Sequence, residues 1–332
     1  MRFMLRTLKI ALLSVTLLAC SPAAELIERN ERTSSRVQAA AVSTNGQYSV
    51  VSTTEEGLRL FDTLTGELLH NWQQEDGGIS QIVALKFSDD SNVVLAASRM
   101  TLVLWDTQSG EVLGAWRNDE SFILDVAVSN NGQHIVLARN DGTVIFFEPN
   151  TGRRIEFQAH SDKVTQVEIS ANGQYVFSGG NDHQAILWRT EPVQITHSFP
   201  IEGRITQLAI DSFGRYGLVS SATQAYIHNL VTGEMVTTLS IKAQQKVFSS
   251  AVFSTDGKWL LTGTPSRLIE LWSVKNGHRA CTWRVNGRAG EHPPRAAIIA
   301  LGFTNAQTIA IETSAGFGEL WQLPAACHGP QQ

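Results

Sequence analysis

Four residues stand at spacings where they could do chemistry together: His160, Ser178, Asp182 and Trp188. Ser178 lies ten residues before Trp188, and Asp182 six before it. A carboxylate, an imidazole, a hydroxyl and an indole N–H can form a run in which each group satisfies the next. His183 adjoins Asp182, so His160, Asp182 and His183 also offer ligands to a divalent metal. That spacing matches no recognised metal motif, and an indole partner suits a buried hydrogen-bonded chain better than a coordination sphere. The four residues are therefore read as structural, with no metal and no cofactor expected. Elsewhere the chemistry is sparse. There is no Gly-x-Ser-x-Gly elbow, His-Glu-x-x-His helix, Cys-x-x-Cys pair or phosphate-binding glycine loop. The nine His are dispersed, and no catalytic residue is assigned.

The elements around these residues are strands. Residues 164–170 alternate apolar and polar side chains, the pattern of a half-buried strand. Asn172-Gly173 follows, a dipeptide that accepts the positive φ angles of a tight hairpin. Residues 175–178 and 185–188 read as second and third strands, with a turn at 179–183, and residues 195–199 as a fourth. A unit of about forty residues built this way recurs seven times. Its first turn falls at Asn45-Gly46, Ser91-Asn92, Asn131-Gly132, Asn172-Gly173, Phe213-Gly214, Asp256-Gly257 and Ala306-Gln307. The third strand's aromatic position falls at Phe61, Trp105, Phe147, Trp188, His228, Trp272 and Trp321, at spacings of 40 to 49 residues. A second turn closes five copies, at Thr65-Gly66, Ser109-Gly110, Thr151-Gly152, Thr232-Gly233 and Asn276-Gly277. Three independent markers keeping one period predict an all-β, seven-bladed β-propeller.

The anchor copy resembles the WD-repeat family, in which such a His, Ser, Asp and Trp form one buried hydrogen-bonded chain within a blade. Asp62 and Asp106, following Phe61 and Trp105, keep the family's aromatic-Asp pattern. The resemblance implies that these polar residues hold a blade together. Only the fourth copy keeps the full set, however. The third retains Asp141, and the others place Glu55, Arg99, Ala222, Ser266 and Ala315 where Asp182 stands. Apolar packing and ladder hydrogen bonds must hold most blades.

Seven blades need twenty-eight strands, and the chain is one short at its end. After Trp321, Leu323-Pro324-Ala325-Ala326 leaves no room for a fourth strand, and Pro324 would cost a ladder hydrogen bond. Glu25-Leu26-Ile27 copies Glu67-Leu68-Leu69, the fourth strand of the first blade. Leu26 and Ile27 are therefore expected to pair beside residues 318–323 and close the ring. The propeller spans residues 25–327, with a tail at 328–332.

Residues 1–19 read as a targeting segment. Arg2, Arg6 and Lys9 precede an apolar run at 10–19, and ten residues are too few to span a bilayer. The segment ends Leu17-Leu18-Ala19-Cys20, which resembles the lipobox of bacterial lipoproteins. That implies acylation of Cys20 as the mature N-terminus, with residues 20–24 as a short tether. Ser21 follows, where Asp would resemble the inner-membrane retention signal, so the resemblance implies an outer-membrane lipoprotein facing the periplasm. An ordinary signal peptide with a chance Cys is the alternative. Removing residues 1–19 takes three of 26 basic residues and leaves 23 against 31 acidic ones. That acidic balance gives no electrostatic reason to expect nucleic acid as a partner. If Cys20 is acylated, Cys281 and Cys327 remain as an even pair in an oxidising compartment, and a bridge between them is expected.

In a propeller the loops between blades share one face with the loops joining second and third strands. The short Asn-Gly and Thr-Gly turns occupy the opposite face. On the loop-rich face the first three blades contribute Glu55, Glu56, Glu75, Asp76, Asp119 and Glu120 against Arg99 and Arg117. The last three contribute Arg204, Lys242, Lys246, Arg267, Arg288 and Arg295 against Glu202 and Glu291. Such polarity can orient a protein partner. Lys246, Arg267, Arg288 and Arg295, with the polar insertion 286–296, are the expected contacts to an acidic protein surface. Three functional classes stay open: a membrane-anchored protein-binding scaffold; a propeller enzyme, marked by two or more carboxylates or His converging on the central channel; and a subunit resembling the propeller lipoprotein of the outer-membrane β-barrel assembly machinery, which has eight blades.

Overall fold

The computed structural model describes residues 24–72, 81–241, 247–292 and 294–328. They form seven antiparallel four-stranded sheets. Each inner strand touches the next around the circle, and the last touches the first. The fold is a seven-bladed β-propeller, one blade fewer than the assembly-machinery lipoprotein.

Blades one to six run from inner to outer strand in chain order. Blade one is Val37–Val42, Tyr48–Thr53, Gly57–Asp62 and Leu68–Trp72, and blade four is Val164–Ile169, Tyr175–Gly180, Gln184–Thr190 and Val193–Pro200. The first turns are locked locally. Ser170 Oγ donates to Asn172 Oδ1 at 2.8 Å and accepts from Tyr175 N–H at 3.0 Å. Ser43, Asn45 and Tyr48 repeat the device, as do Ser254, Asp256 and Trp259. Gly46, at φ 68°, shows why the turn needs glycine: a Cβ there would come within 2.4 Å of Thr304 Cα in blade seven.

Blade seven takes its outer strand from the other end of the chain. Glu25–Glu31 pairs antiparallel with Phe317–Gln322, Leu26 opposite Trp321 and Glu28 opposite Leu320. Ile27 has no ladder partner; it fills the bulge between them. Blade one has the same bulge, with Leu60 opposite His70 and Phe61 opposite Leu68. The strand is longer than Glu25-Leu26-Ile27 suggested, because Asn30 and Glu31 continue the ladder despite their polarity. After Leu323 the chain makes a short 3-10 turn, Ala325–His328. Cys281, in the outer strand of blade six, and Cys327 form a disulfide across 46 residues, with Cα atoms 5.4 Å apart. Cys20 lies outside the described residues.

A separate apolar cluster fills each seam between neighbouring blades. The seam between blades seven and one is the poorest, with only Val37, Val51 and Phe61 fully buried, where the other six hold nine or more. Charge takes over there. Arg32 Nε meets Glu312 Oε1 at 3.2 Å with both side chains nearly dry. Burial pushes the Glu312 carboxyl up, and the Arg32 guanidinium pulls it back. Arg32 also stacks over Phe61 at 4.7 Å, and its carbonyl accepts from Arg59 Nη2 at 2.7 Å. Gly318 makes the space, since a Cβ there would lie 2.4 Å from Arg32 Nε.

The insertion acts as a clasp over this joint. Arg29 pairs with Glu319 at 3.2 Å and donates to the carbonyls of Asn286 and Gly287 at 3.3 and 3.1 Å. Arg288 pairs with Glu31 at 2.6 Å and donates to the carbonyls of Thr33 and Ala315. Both guanidiniums lie over Phe317.

Arg32→Ala leaves Glu312 as a buried charge without its partner, and should cost about 3–5 kcal/mol by urea unfolding. Arg32→Met with Glu312→Leu should recover most of that loss. A cost below about 1 kcal/mol for the single change would refute the role given to the pair.

Candidate functional site

In blade four the sequence-predicted residues meet. His160 precedes the inner strand, Ser178 is on the second strand, Asp182 is in the turn after it and Trp188 is on the third strand. Trp188 Nε1 donates to Ser178 Oγ at 2.9 Å, and Ser178 Oγ lies 2.8 Å from His160 Nε2. His160 Nδ1 lies 3.0 Å from Asp182 Oδ2, which also accepts from Ser161 N–H. One assignment uses every proton: the indole donates to Ser178, Ser178 to His160 Nε2, and His160 Nδ1–H to Asp182. His183 is exposed, at φ 67°, while Asp182 is committed to His160. No group of three His, Cys, Asp or Glu able to hold a metal occurs among the described residues.

Sequence reasoning missed a partial copy. In blade six Trp272 Nε1 donates to Thr262 Oγ1 at 2.8 Å, in the place of the Trp188–Ser178 bond. Thr262 stands ten residues before Trp272, as Ser178 does before Trp188, so the signal was present as a hydroxyl of another type. In blade seven Trp321 Nε1 turns to Glu319 instead, at 2.8 Å. Blade five has His228 at the aromatic position, packed on Phe199 with ring centroids 4.4 Å apart and Nδ1 unpartnered. Burial pushes His228 down to about 4.

The loop-rich face is less polarised than its charges suggest. Glu56 pairs with Arg59, Asp119 with Arg117, and Glu120 with Arg139 and Arg154. Arg139 also pairs with Asp141, which therefore plays no part like that of Asp182. On the other side, Arg204, Arg267 and Arg295 make no ion pair among the described residues; Arg267 donates one weak bond to the carbonyl of Val285. Arg288 is not offered to a partner, because the ring-closing clasp uses it. Lys242, Lys246, Glu75 and Asp76 lie outside the described residues.

The central channel encloses about 370 Å³. Lys86, on the inner strand Ala84–Phe87 of blade two, reaches Glu168 in blade four at 2.6 Å. Asp125, on the inner strand Ile123–Val128 of the intervening blade three, accepts from the Val167 N–H of blade four at 3.0 Å. Burial pushes Asp125 up to about 6 against the pull of Lys86, and the charge of Glu168 adds to the rise. Burial pulls Lys86 down, but Glu168 and Asp125 outweigh it and leave Lys86 raised. Two carboxyls and an ammonium thus converge on the axis, with Asp125 held above the ordinary carboxyl range. No repeat spacing marks them in the sequence, because each blade contributes a different residue.

Residues 153–189 match the family model for the WD domain, G-beta repeat. With the seven blades, this supports a WD-repeat β-propeller. No curated protein matches the chain. The matched WD repeat straddles two blades, taking the outer strand Arg154–Phe157 of blade three and the first three strands of blade four. In that frame every repeat lends its first strand to the preceding blade, and residues 25–31 become the loan of the first repeat to the last blade. WD-repeat propellers generally serve as platforms for protein partners, which is consistent with an interaction scaffold here.

His160→Ala should cost about 1–3 kcal/mol by stranding Ser178 and Asp182, with metal content unchanged. Unaltered stability, or loss of a bound metal, would overturn the structural reading. His228 contributes a pH dependence of defined sign. Its folded-state value lies below the ordinary histidine value near 6.5, so its penalty grows as pH falls from about 6.5 toward 4. His228→Phe, which installs the residue type of Phe61 and Phe147, should remove about 2–3 kcal/mol of that acid loss. Asp125 acts in the opposite sense below pH 6, so the measurement is the difference between variant and wild type at each pH. Parallel curves from pH 7 to 4 would contradict the assignment.

Proposed function

We propose that the protein is a lipid-anchored, periplasm-facing scaffold of the bacterial outer membrane whose loop-rich face binds an acidic protein surface. The observation that carries the partner site is the imbalance on that face. Glu56, Asp119 and Glu120 of blades one to three are paired within the chain, whereas Arg204, Arg267 and Arg295 make no ion pair among the described residues. The basic n-region, the apolar run and Leu17-Leu18-Ala19-Cys20 support the anchor. The Cys281–Cys327 disulfide fits an oxidising compartment.

Convergence of Asp125 and Glu168 beside Lys86 favours a second reading, in which the channel is a catalytic or ligand site for a small polar molecule and Asp125 transfers the proton. A thermal-shift screen of small polar solutes separates the two. A solute that stabilises the wild type but not Asp125→Asn would support the channel site.

Reversing Arg204, Arg267 and Arg295 to Glu together should cut crosslinked partner recovered from native membranes about tenfold or more, equivalent to at least 1.4 kcal/mol. Folding and outer-membrane fractionation should survive, while Cys20→Ser should release the protein from the membrane. Undiminished capture by the triple variant would place the partner elsewhere.

A further inference from the structure

The exposed apolar side chains of this propeller are segregated. Of the fifteen large apolar residues left exposed among the described residues, only Val83, Phe122 and Val247 belong to the loop-rich side. The other twelve lie at the turn-rich end. Leu64, Phe213 and Val231 are in the turns themselves, with Phe213 and Val231 71% and 74% exposed. The rest, among them Leu68, Val112 and Met235, stand at the turn-rich ends of outer strands. Isolated apolar residues on a surface need no explanation, but their collection on one face marks a surface that meets something apolar.

The chain enters the fold at this same end. Glu25 pairs with Gln322, whose neighbour Leu323 hydrogen-bonds to Gln307 in the first turn of blade seven. Ala24 stands four positions after Cys20, a reach of about 14 Å at full extension. An acyl chain on Cys20 would therefore hold the turn-rich face against the bilayer rather than away from it.

We propose that the turn-rich face lies on the lipid surface, with apolar side chains from opposite sides of the ring entering the interface and the loop-rich face turned outward. This rests on the lipid-anchor reading above. The occupant is a bilayer of zwitterionic headgroups. The turn-rich ends of the outer strands carry both signs, Glu25, Glu67, Glu111 and Glu234 against Arg153, Arg154, Lys275 and Arg279, all exposed, a balance that suits a zwitterionic surface better than a charged one. Phe213 is flanked by the Arg215 guanidinium, 4.8 Å from its ring centroid, so apolar body and cationic head are paired at one position.

The test uses the full chain in vesicles of phosphatidylethanolamine and phosphatidylcholine. Single cysteines replace Leu64 in blade one, Phe213 in blade five or Phe122 on the loop-rich side, and each carries an environment-sensitive fluorophore. Nitroxide-labelled lipids should quench positions 64 and 213 and leave position 122 unaffected. Phosphatidylglycerol should not be needed for the quenching. Quenching at 64 alone would show the propeller standing on its edge, and quenching at 122 would show the wrong face; either overturns the inference. Mass spectrometry of the Cys20 peptide tests the anchor separately. In the unacylated Cys20→Ser chain, Phe213→Asp with Val231→Asp should lower residual vesicle partition at least fivefold. No effect of that pair, whether or not Cys20 is acylated, also overturns it.

Discussion

One joint in the ring is made without the chain running through it: the ladder between Glu25–Glu31 and Phe317–Gln322. Every other strand in a blade is tied to its neighbour by a short turn, so its pairing loses little entropy on closure. This pairing joins segments nearly the whole chain apart, and it removes the free sheet edge that blade seven would otherwise expose beside Trp321. The same blade borders the seam where apolar packing is thinnest, that of Val37, Val51 and Phe61. The seam is rich in ion pairs and cation–π contacts instead, and Arg29, Arg32, Arg59 and Arg288 all converge on it. A buried ion pair is weak evidence for net stability but strong evidence for register, because a slipped strand would leave Glu312 and Glu319 uncompensated in a dry site.

The hydrogen-bonded chain of blade four shows how little of a repeat motif a propeller needs. His160, Ser178, Asp182 and Trp188 satisfy one another completely, whereas blade six keeps only Thr262 and Trp272, and blade five has a buried histidine with an unpartnered nitrogen. Between the blades the clusters remain large in six of seven seams, so loss of the polar chain is offset by apolar burial. This is why a family model matches one repeat while seven blades form.

Much of this was legible in the residues. Asn-Gly turns, recurring aromatics and the likeness of Glu25-Leu26-Ile27 to Glu67-Leu68-Leu69 are local patterns, and local patterns fixed the blades and the closure. What escaped was set by position in the ring. Arg32 and Glu312 are 280 residues apart, and Arg288 and Glu31 are 257 apart. No spacing rule joins such pairs, so Arg288 was read as a partner contact when it is a clasp. Lys86, Asp125 and Glu168 likewise meet only because their three blades share an axis. The charge pattern of the loop-rich face was readable as composition, but which charges cancel depended on neighbours such as Arg139, whose strand position alone did not reveal its two carboxylate partners.

The closing strand also joins structure to function, because the proposed anchor and the first residue of the ladder are so few residues apart. If closure is the constraint on which the ring depends, the strand should not open while the rest stays folded. Native-state hydrogen exchange tests this most directly. The amides of residues 28–31 that bond into the ladder should exchange through the same global opening as the second and third strands of blade four, with matching free energies and denaturant dependence. Exchange of these amides several orders of magnitude faster, with the other six blades fully protected, would show that the ring holds without its latch and would contradict the account.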